Sequence, residues 1–342
     1  MNKRKESRHV SVLMSVYGEE EDWLRKAVDS ILTQTYSNFE FIITLDKPEN
    51  ELLWGVLKEY ERKDTRIVLS RNEQNMGLAA TLNKAIGMSR GDYIVRMDAD
   101  DISVPKRIEI LIEFMESHQE IGVSSSWMKS FGGTFLNNRI AKYPAKHDDL
   151  EIKSLYNTPI AHAPCIIRRT VIDKFSPLYN EKCCRTQDYE LWSRLMHNKV
   201  KFATIPKVLY LVRGSNGLGP LPIPYQVIHN QVARNNIQQV LNSYSILLPD
   251  KIAKGDVKEL SKVLRSHKGD RKQKKQLAVI LFVYYLSLEL SLIKRIGLFL
   301  SSCDFSRCSF YLPLKLTLRI ILPGDSILSV NNRCTDASMS IF

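Results

Sequence analysis

Tyr93-Ile94-Val95-Arg96-Met97-Asp98-Ala99-Asp100-Asp101 decides how this chain is read. Tyr93 to Met97 reads as a short apolar strand carrying one charge, and three carboxylates follow within four positions. Carboxylates this close repel one another, so an unpaired cluster at a strand end costs stability. A hard divalent cation, which takes oxygen ligands, is the usual compensation. The cluster also falls just past the carboxyl end of a strand, where open α/β sheets bind ligands. Taken alone, an aspartate pair of this kind is more often a solvated turn that caps the next helix. The rest of the chain has to decide between the two.

Upstream, Val10 to Val16 is β-branched and apolar, the pattern of a buried parallel strand, and Tyr17-Gly18-Glu19-Glu20 breaks it. No glycine-rich dinucleotide or P-loop signature follows. A phosphate bound here would need another source of neutralising charge. Trp23, Leu24, Ala27, Val28, Ile31 and Leu32 recur at helical spacing behind an acidic start. Phe39 to Leu45 predicts a second strand ending at Asp46, and Leu52 to Tyr60 a second helix. Arg66 to Ser70 predicts a third strand, Asn75-Met76-Gly77 a turn, and Leu78 to Ile86 a third amphipathic helix. This alternation predicts an α/β fold, a mostly parallel sheet with helices on both faces.

Downstream, Ser103 is expected to N-cap a helix whose first turn holds Pro105 and whose stripe is Ile108, Leu111, Ile112 and Met115. Ile121 to Met128 predicts a strand, Gly132-Gly133 a turn, Asp188 to Met196 a helix, and Thr204 to Val212 a strand interrupted by Pro206. Gly214 to Pro224 reads as a loop or linker. Residues 1–220 are therefore expected to form one domain and 221–342 a mainly helical C-terminal region.

The 342 residues carry a formal net charge of +12. That excess favours anionic partners such as nucleotides or acidic lipid. No zinc-finger spacing, helix-turn-helix signature or RNA-binding aromatic motif is present, so nucleic acid is not expected as a partner. The six cysteines form no CxxC pair and no regular framework, which points to a reducing cytosol. Met1 to His9 is basic without a following apolar segment, so no secretory signal is expected.

Four blocks, in order, carry a resemblance over about Val10 to Gly214. They are Val10 to Tyr17; Asn75-Met-Gly-Leu-Ala-Ala-Thr-Leu-Asn83-Lys-Ala85; Arg96 to Asp101 followed by Pro105 and Arg107; and Thr186-Gln-Asp-Tyr-Glu-Leu-Trp192. In these the chain resembles the inverting family 2 glycosyltransferases, especially bacterial enzymes of capsule, exopolysaccharide and O-antigen synthesis. The resemblance implies a GT-A fold, a nucleotide-sugar donor, UDP-linked, and a divalent cation, Mn²⁺ or Mg²⁺. It also implies a glycan or lipid-linked saccharide acceptor. Three departures stand out: Leu45 precedes Asp46 where the family has a second aspartate, Gln187 replaces a glutamate, and Arg213-Gly214-Ser215 replaces a histidine-bearing segment.

On that resemblance each residue acquires an expected role. Breaking the bond from the anomeric carbon to a diphosphate loads negative charge on the leaving group, and a metal stabilises it. Asp100 is expected to ligate the metal, with Asp101 as a second candidate, while Asp98 faces the donor ribose beside Ala99. Inversion needs a base on the opposite face of the sugar. Asp188 fits, at a helix start where the macrodipole favours its ionised form; otherwise it merely caps that helix. Asp46 is expected to accept from a uracil N–H, Tyr17 and Glu19 to line the base pocket, and Arg71 and Asn75 to reach the nucleotide. His162 falls on the acceptor side, Trp192 either stacks on a sugar or packs in the core, and Arg213 approaches the diphosphate.

Two rival enzymes and one scaffold are weighed against this. A nucleotidyltransferase would place a basic, glycine-rich segment after the first strand, and Tyr17 to Glu20 is acidic instead. A haloacid-dehalogenase-type phosphatase carries its aspartates after the first strand, not a later one. A degenerate, membrane-bound scaffold would not need both Asp100 and Asp188. In the C-terminal region Lys251 to Lys275 is strongly basic and Leu277 to Ile293 almost wholly apolar, with Glu289 inside it; Leu312 to Ile321 is again apolar with interspersed charge. A basic run beside apolar segments suits peripheral attachment to an acidic membrane, here the cytoplasmic face of a bacterial inner membrane. The alternative is a helical subdomain whose apolar faces pack on each other or on a second copy in a homodimer. The apolar run is at the short limit for a membrane span.

Overall fold

The computed structural model describes residues 8–132, 138–183, 185–214, 223–250, 253–267 and 269–287. Along the chain come β1 (Val10–Val16), α1 (Glu21–Leu32), β2 (Phe39–Leu45), α2 (Glu51–Lys63), β3 (Ile67–Arg71), α3 (Leu78–Met88) and β4 (Tyr93–Asp98). Then follow β5 (Ile102–Ser103), α4 (Arg107–Ser117), β6 (Ile121–Phe131), β7 (Ile140–Ala141), α5 (His147–Ser154), β8 (Ile166–Arg168) and α6 (Arg169–Lys174). The remaining elements are α7 (Gln187–His197), β9 (Lys201–Arg213), α8 (Ile223–Asn242), α9 (Lys254–Ser266) and α10 (Arg271–Ser287).

The strands form one sheet in the order β3-β2-β1-β4-β8-β6-β9-β5, with β7 beside β6. β1 to β4 pair in parallel, β8 enters antiparallel between β4 and β6, and β9 runs parallel to β6. The long strands thus share one direction, and only the short β5, β7 and β8 oppose it. This is a GT-A-type, mostly parallel sheet. Pro206 interrupts β9 without ending it: the register to β6 slips between Ser126–Ile205 and Trp127–Val208, so the proline falls in a bulge that needs no ladder donor.

Period-2 alternation along β1 and β4 builds a core on each face. Val10, Val12, Met14, Val95 and Met97 pack with Leu24, Val28 and Ile31 of α1, Leu53 and Leu57 of α2, and Ile108 and Leu111 of α4. Leu13, Ile42 and Ile94 pack on the other face with Leu82 and Ala85 of α3 and Leu191, Trp192 and Leu195 of α7. Each such side chain, fully buried, contributes about 1.5–3 kcal/mol. A one-residue slip of either strand would reverse both faces.

The sequence misplaces the start of α4. Lys106 occupies the N-cap position and its side chain makes no capping bond. Ser103 lies instead in β5 opposite Tyr210 of β9, and its hydroxyl accepts from Gln34 Nε2 at 3.1 Å. The strand pairing wins because its partner lies more than a hundred residues away, invisible to local patterning.

The chain divides into two compact units, Met1–Leu150 with Thr158–Leu221, and Glu151–Asn157 with Pro222–Phe342. The sheet belongs to the first. In the second, Ile237 and Leu241 of α8, Val257 and Leu260 of α9, and Leu277 and Ile280 of α10 form an apolar core with Ile152 and Leu155. The opening of the long apolar run is thereby buried in a helical core. Among the described residues no helix is long and apolar enough to cross a membrane. The run from 288 onward, Leu312 to Ile321 and Cys303, Cys308 and Cys334 lie outside the described residues.

Candidate active site

In the strand order, β1 has β2 on one side and β4 on the other, so successive connections leave it in opposite directions. That switch point opens a crevice at the carboxyl ends of the strands. In register there, Val16 faces Leu45 and Ser15 faces Asp98. The residues that follow these positions line an open cleft of about 470 Å³, within the usual range for small-molecule sites. Its walls bring together Tyr17, Glu19, Asp46, Asn75, Asp98, Ala99 and Asp100 from four separate stretches of sequence, together with Ser15, Gly77 and Leu78.

Each wall residue has a structural reason for its position. Tyr17 is half exposed and stacks under Lys47 Nζ at 5.5 Å from the ring centroid, so it belongs to the cleft and not the core. Glu19 Oε2 accepts the Tyr17 N–H at 2.9 Å, and burial raises its pKa. Asp46 is buried and organises the next turn: Oδ1 accepts from Asn72 Nδ2 at 2.7 Å and Met76 N–H at 2.8 Å, and Oδ2 from Gly77 N–H at 2.9 Å. Gly77 has φ of 80°, a left-handed conformation natural to glycine. These bonds leave Oδ2 with the spare acceptor capacity for a ligand.

The three aspartates after β4 separate by environment. Asp98 is gripped by Arg96, whose Nη1 donates to Oδ2 at 2.8 Å and whose Nη2 donates to Oδ1. Asp100 opens into the cleft; burial, then the charge of Asp98, raises its carboxyl above the usual range. Asp101 turns away. It is buried, Oδ1 accepts the Arg213 N–H at 2.7 Å, and burial followed by Asp98 and Asp100 pushes its pKa up to about 8. Asp101 therefore anchors β9, and of the two expected metal ligands only Asp100 reaches the cleft.

Among the described residues no three His, Cys, Asp or Glu side chains converge to cage a metal. Mg²⁺-like cations are commonly held by one or two carboxylates plus substrate phosphates. Asp100, an oxygen donor facing the cleft and repelled by Asp98, fits such a shared site. Arg213 stands beside it. Its Nε donates to the Asp100 carbonyl at 2.9 Å, and its guanidinium lies between Trp23 and Phe131, 4.5 and 4.6 Å from their ring centroids.

On the α7 side, Asp188 occupies the first turn of the helix while Thr186 holds the N-cap position without a side-chain capping bond. Thr158 Oγ1 lies 3.4 Å from Asp188 Oδ2. Burial raises the Asp188 pKa and outweighs the backbone N–H groups of Asp188 and Tyr189 and the charge of Arg96, which favour the ionised form. Burial thus opposes the helix N-terminus, in the direction that strengthens Asp188 as a proton acceptor. His162 Nε2 and the Tyr179 hydroxyl are 2.8 Å apart, and burial holds the imidazole pKa well below its ordinary value, so the ring is neutral.

Two sequence assignments change. Trp192 is fully buried, edge-on to His162 and Phe202 at 5.9 and 5.7 Å between ring centroids; it packs the core and has no face for a sugar. Arg71 is not among the residues lining the cleft: its guanidinium bonds Pro48 O and Glu51 and lies over Trp54. Arg96 is the residue the sequence did not single out. Its signal was a lone charge in an apolar strand.

The sequence profile of Glycosyl transferase family 2 matches residues 11–175, which include the cleft's walls. An uncharacterized glycosyltransferase of Methanocaldococcus jannaschii is 37% identical over 211 residues, 60% of this chain and 71% of that protein. The Escherichia coli UDP-Gal:alpha-D-GlcNAc-diphosphoundecaprenol beta-1,3-galactosyltransferase is 28% identical over 210 residues, 60% of this chain and 74% of that protein. Among solved structures, Staphylococcus aureus TarS residues 1–349 in complex with UDP-GlcNAc superpose with a TM-score of 0.55 at 16% identity. That match covers 85% of this chain and 83% of TarS 1–349, and it shows the shared fold. A matched profile over the strands that carry the cleft, and a relative this similar along most of its length, lead to one conclusion: the chain belongs to glycosyl transferase family 2 and is a glycosyltransferase.

Proposed function

We propose that this glycosyltransferase inverts configuration as it moves a sugar from a UDP-linked donor to a hydroxyl of a lipid-linked saccharide in bacterial surface-polysaccharide synthesis. The observation that carries the reading is the cleft at the β1–β4 switch point, where acidic and aromatic side chains converge with no phosphate-binding glycine loop. The names of the relatives supply the substrate classes: a UDP-sugar complex for TarS, a diphosphoundecaprenol-linked acceptor for the Escherichia coli enzyme.

Residues 1–220 act as the catalytic domain. Tyr17, Glu19, Asp46 and Asn75 hold the base and ribose end of the donor, with Asp98 on the ribose. Asp100 presents an oxygen to the diphosphate end, where a bound Mn²⁺ or Mg²⁺ would stabilise the charge of the departing nucleoside diphosphate. Arg213, whose main chain and Nε are fixed to Asp101 and Asp100, keeps a positive charge close to the same place. Asp188 takes the proton of the acceptor hydroxyl as its oxygen attacks the anomeric carbon from the face opposite the leaving group. The bond to the acceptor forms, the carbon–oxygen bond to the diphosphate breaks, and the proton rests on Asp188. Neutral His162, bonded to Tyr179, lines the acceptor side. Residues 221–342 bring the cleft to the lipid-linked acceptor through their basic and apolar stretches, at the cytoplasmic face of the inner membrane.

A panel of UDP-sugars with Mn²⁺ and a GlcNAc-diphospho-lipid acceptor tests this. We expect one α-linked donor to give a β-linked product by NMR; an α-linked product overturns inversion. In flotation with acidic vesicles we expect the full chain to float and a chain ending at Gly219 to remain below. A full chain that stays below overturns the membrane assignment.

A further inference from the structure

Arg96 is the one basic side chain in the central strand β4. It is 6% exposed, and transferring a guanidinium to such a place is costly unless partners compensate. Alternation puts it on the same face of the sheet as Ile94, which packs with Leu191 and Trp192 of α7, the helix that starts at Asp188. The strand itself is pinned there: Arg96 N–H donates to Cys165 O at 3.2 Å, and Cys165 N–H to His162 O at 3.2 Å. Forward along β4, Arg96 makes its two-bond fork to Asp98 at the cleft. Its Nε–H is buried and has no hydrogen-bond partner among the described residues. Among the leading influences on the Asp188 carboxyl, Arg96 is the cation.

We propose that Arg96 is a positioning residue for both halves of the site, its fork fixing the Asp98 carboxylate at the donor side and its charge, on the sheet face that α7 covers, acting on Asp188 at the acceptor side. The inference rests on the roles given to Asp98 and Asp188 above. A fork of two charge-assisted bonds sets the orientation of a carboxylate in a way a single ammonium cannot. The same charge favours the ionised form of Asp188 against its burial. The other groups around Asp188 cannot replace it. Thr158 and Tyr179 are uncharged, burial keeps the Tyr179 hydroxyl protonated and His162 neutral, and on α7 itself Glu190 and Arg194 pair with each other at 2.8 Å.

Two readouts separate this from a purely structural role, and neither needs turnover. One is the ¹³C titration of the Asp188 carboxyl in aspartate-labelled protein, its resonance identified by loss in Asp188→Asn. The other is the affinity for UDP with Mn²⁺ by calorimetry. Arg96→Lys keeps the charge and loses the fork: we expect an unmoved Asp188 midpoint and a roughly tenfold weaker UDP·Mn²⁺ affinity. Arg96→Gln loses both: we expect the midpoint to move upward and the affinity to fall at least as far. If Arg96→Gln does not fold, the lysine variant decides the donor-side half and Arg96→Met, which also removes the charge, decides the acceptor-side half. Unchanged UDP·Mn²⁺ affinity in folded Arg96→Lys, or an unmoved Asp188 midpoint in folded Arg96→Gln, overturns the inference. Full turnover in Asp188→Asn would instead overturn the role of Asp188 and leave these two readouts standing.

Discussion

The two ends of the same parallel strands handle buried polar groups in opposite ways. At the amino ends, Ser11 Oγ donates to Glu40 at 2.6 Å, Arg90 N–H donates to Glu40 at 2.6 Å, and Gly91 N–H donates to Ser11 Oγ at 2.8 Å. The approach is close enough that a Cβ on Gly91 would come within 2.5 Å of Ser11 N. Although burial pushes the Glu40 carboxyl up, the bonds from Ser11 and Arg90 and the nearby cations hold it below the usual range. At the carboxyl ends, Glu19, Asp100 and Asp101 are all raised, burial being the largest cause in each. One end is a closed network that serves the fold. The other crowds carboxylates against one another, and two of them, Glu19 and Asp100, face a cleft. A sheet tolerates that second arrangement where a cation completes it, alone or with the phosphates it carries.

Substitutions at the two ends should therefore fail differently. Asp100→Asn is expected to cost roughly 4 kcal/mol of transition-state stabilisation, about a thousandfold in transfer rate, with a melting temperature as high as the wild type's or higher. Steady-state rates beside a thermal melt check it. Glu40→Gln should do the reverse: about 1–3 kcal/mol of stability lost in a urea titration, with turnover of the surviving folded enzyme unaltered. If Glu40→Gln cut turnover while sparing stability, the contrast between the ends would be lost.

The pH dependence is a smaller effect with a defined sign. Asp101 rises from an ordinary value of about 3.9 to about 8 in the folded protein. The folded chain thus holds a proton that the unfolded chain has already released. The stability this contributes is fully present below about pH 4 and is lost as pH rises through about 8. We expect the ligand-free protein to melt at progressively lower temperature across that window, and Asp101→Asn to flatten the trend. A wild-type profile that rises across it would contradict the burial argument.

How much of this was legible beforehand follows from how far apart the partners lie. The strand alternation of Val10 to Val16 and Tyr93 to Met97 gave the parallel centre of the sheet, because buried strands are written locally. The acidic cluster after β4 was legible for the same reason. What each carboxylate does was not. Asp101 is separated from Arg213 by 112 positions, and that contact turns it from the cleft toward β9. Asp46 reads as a simple strand end, yet it holds the Asn72–Gly77 turn through bonds to Asn72, Met76 and Gly77. Trp192 at helical spacing suits a core or a sugar platform equally; only the packing of Phe202 and His162 against it decides for the core. The lone arginine of β4 became meaningful only once α7 was seen to cover its face of the sheet.

The central claim is that the cleft and Asp188 are the two halves of one catalytic site. Asp188→Asn tests it most directly, with transfer rate and UDP·Mn²⁺ affinity measured on the same preparation. The account predicts a loss of about a thousandfold in rate, the scale of a positioned base, with the nucleotide affinity unchanged. Full transfer with the asparagine in place would contradict it.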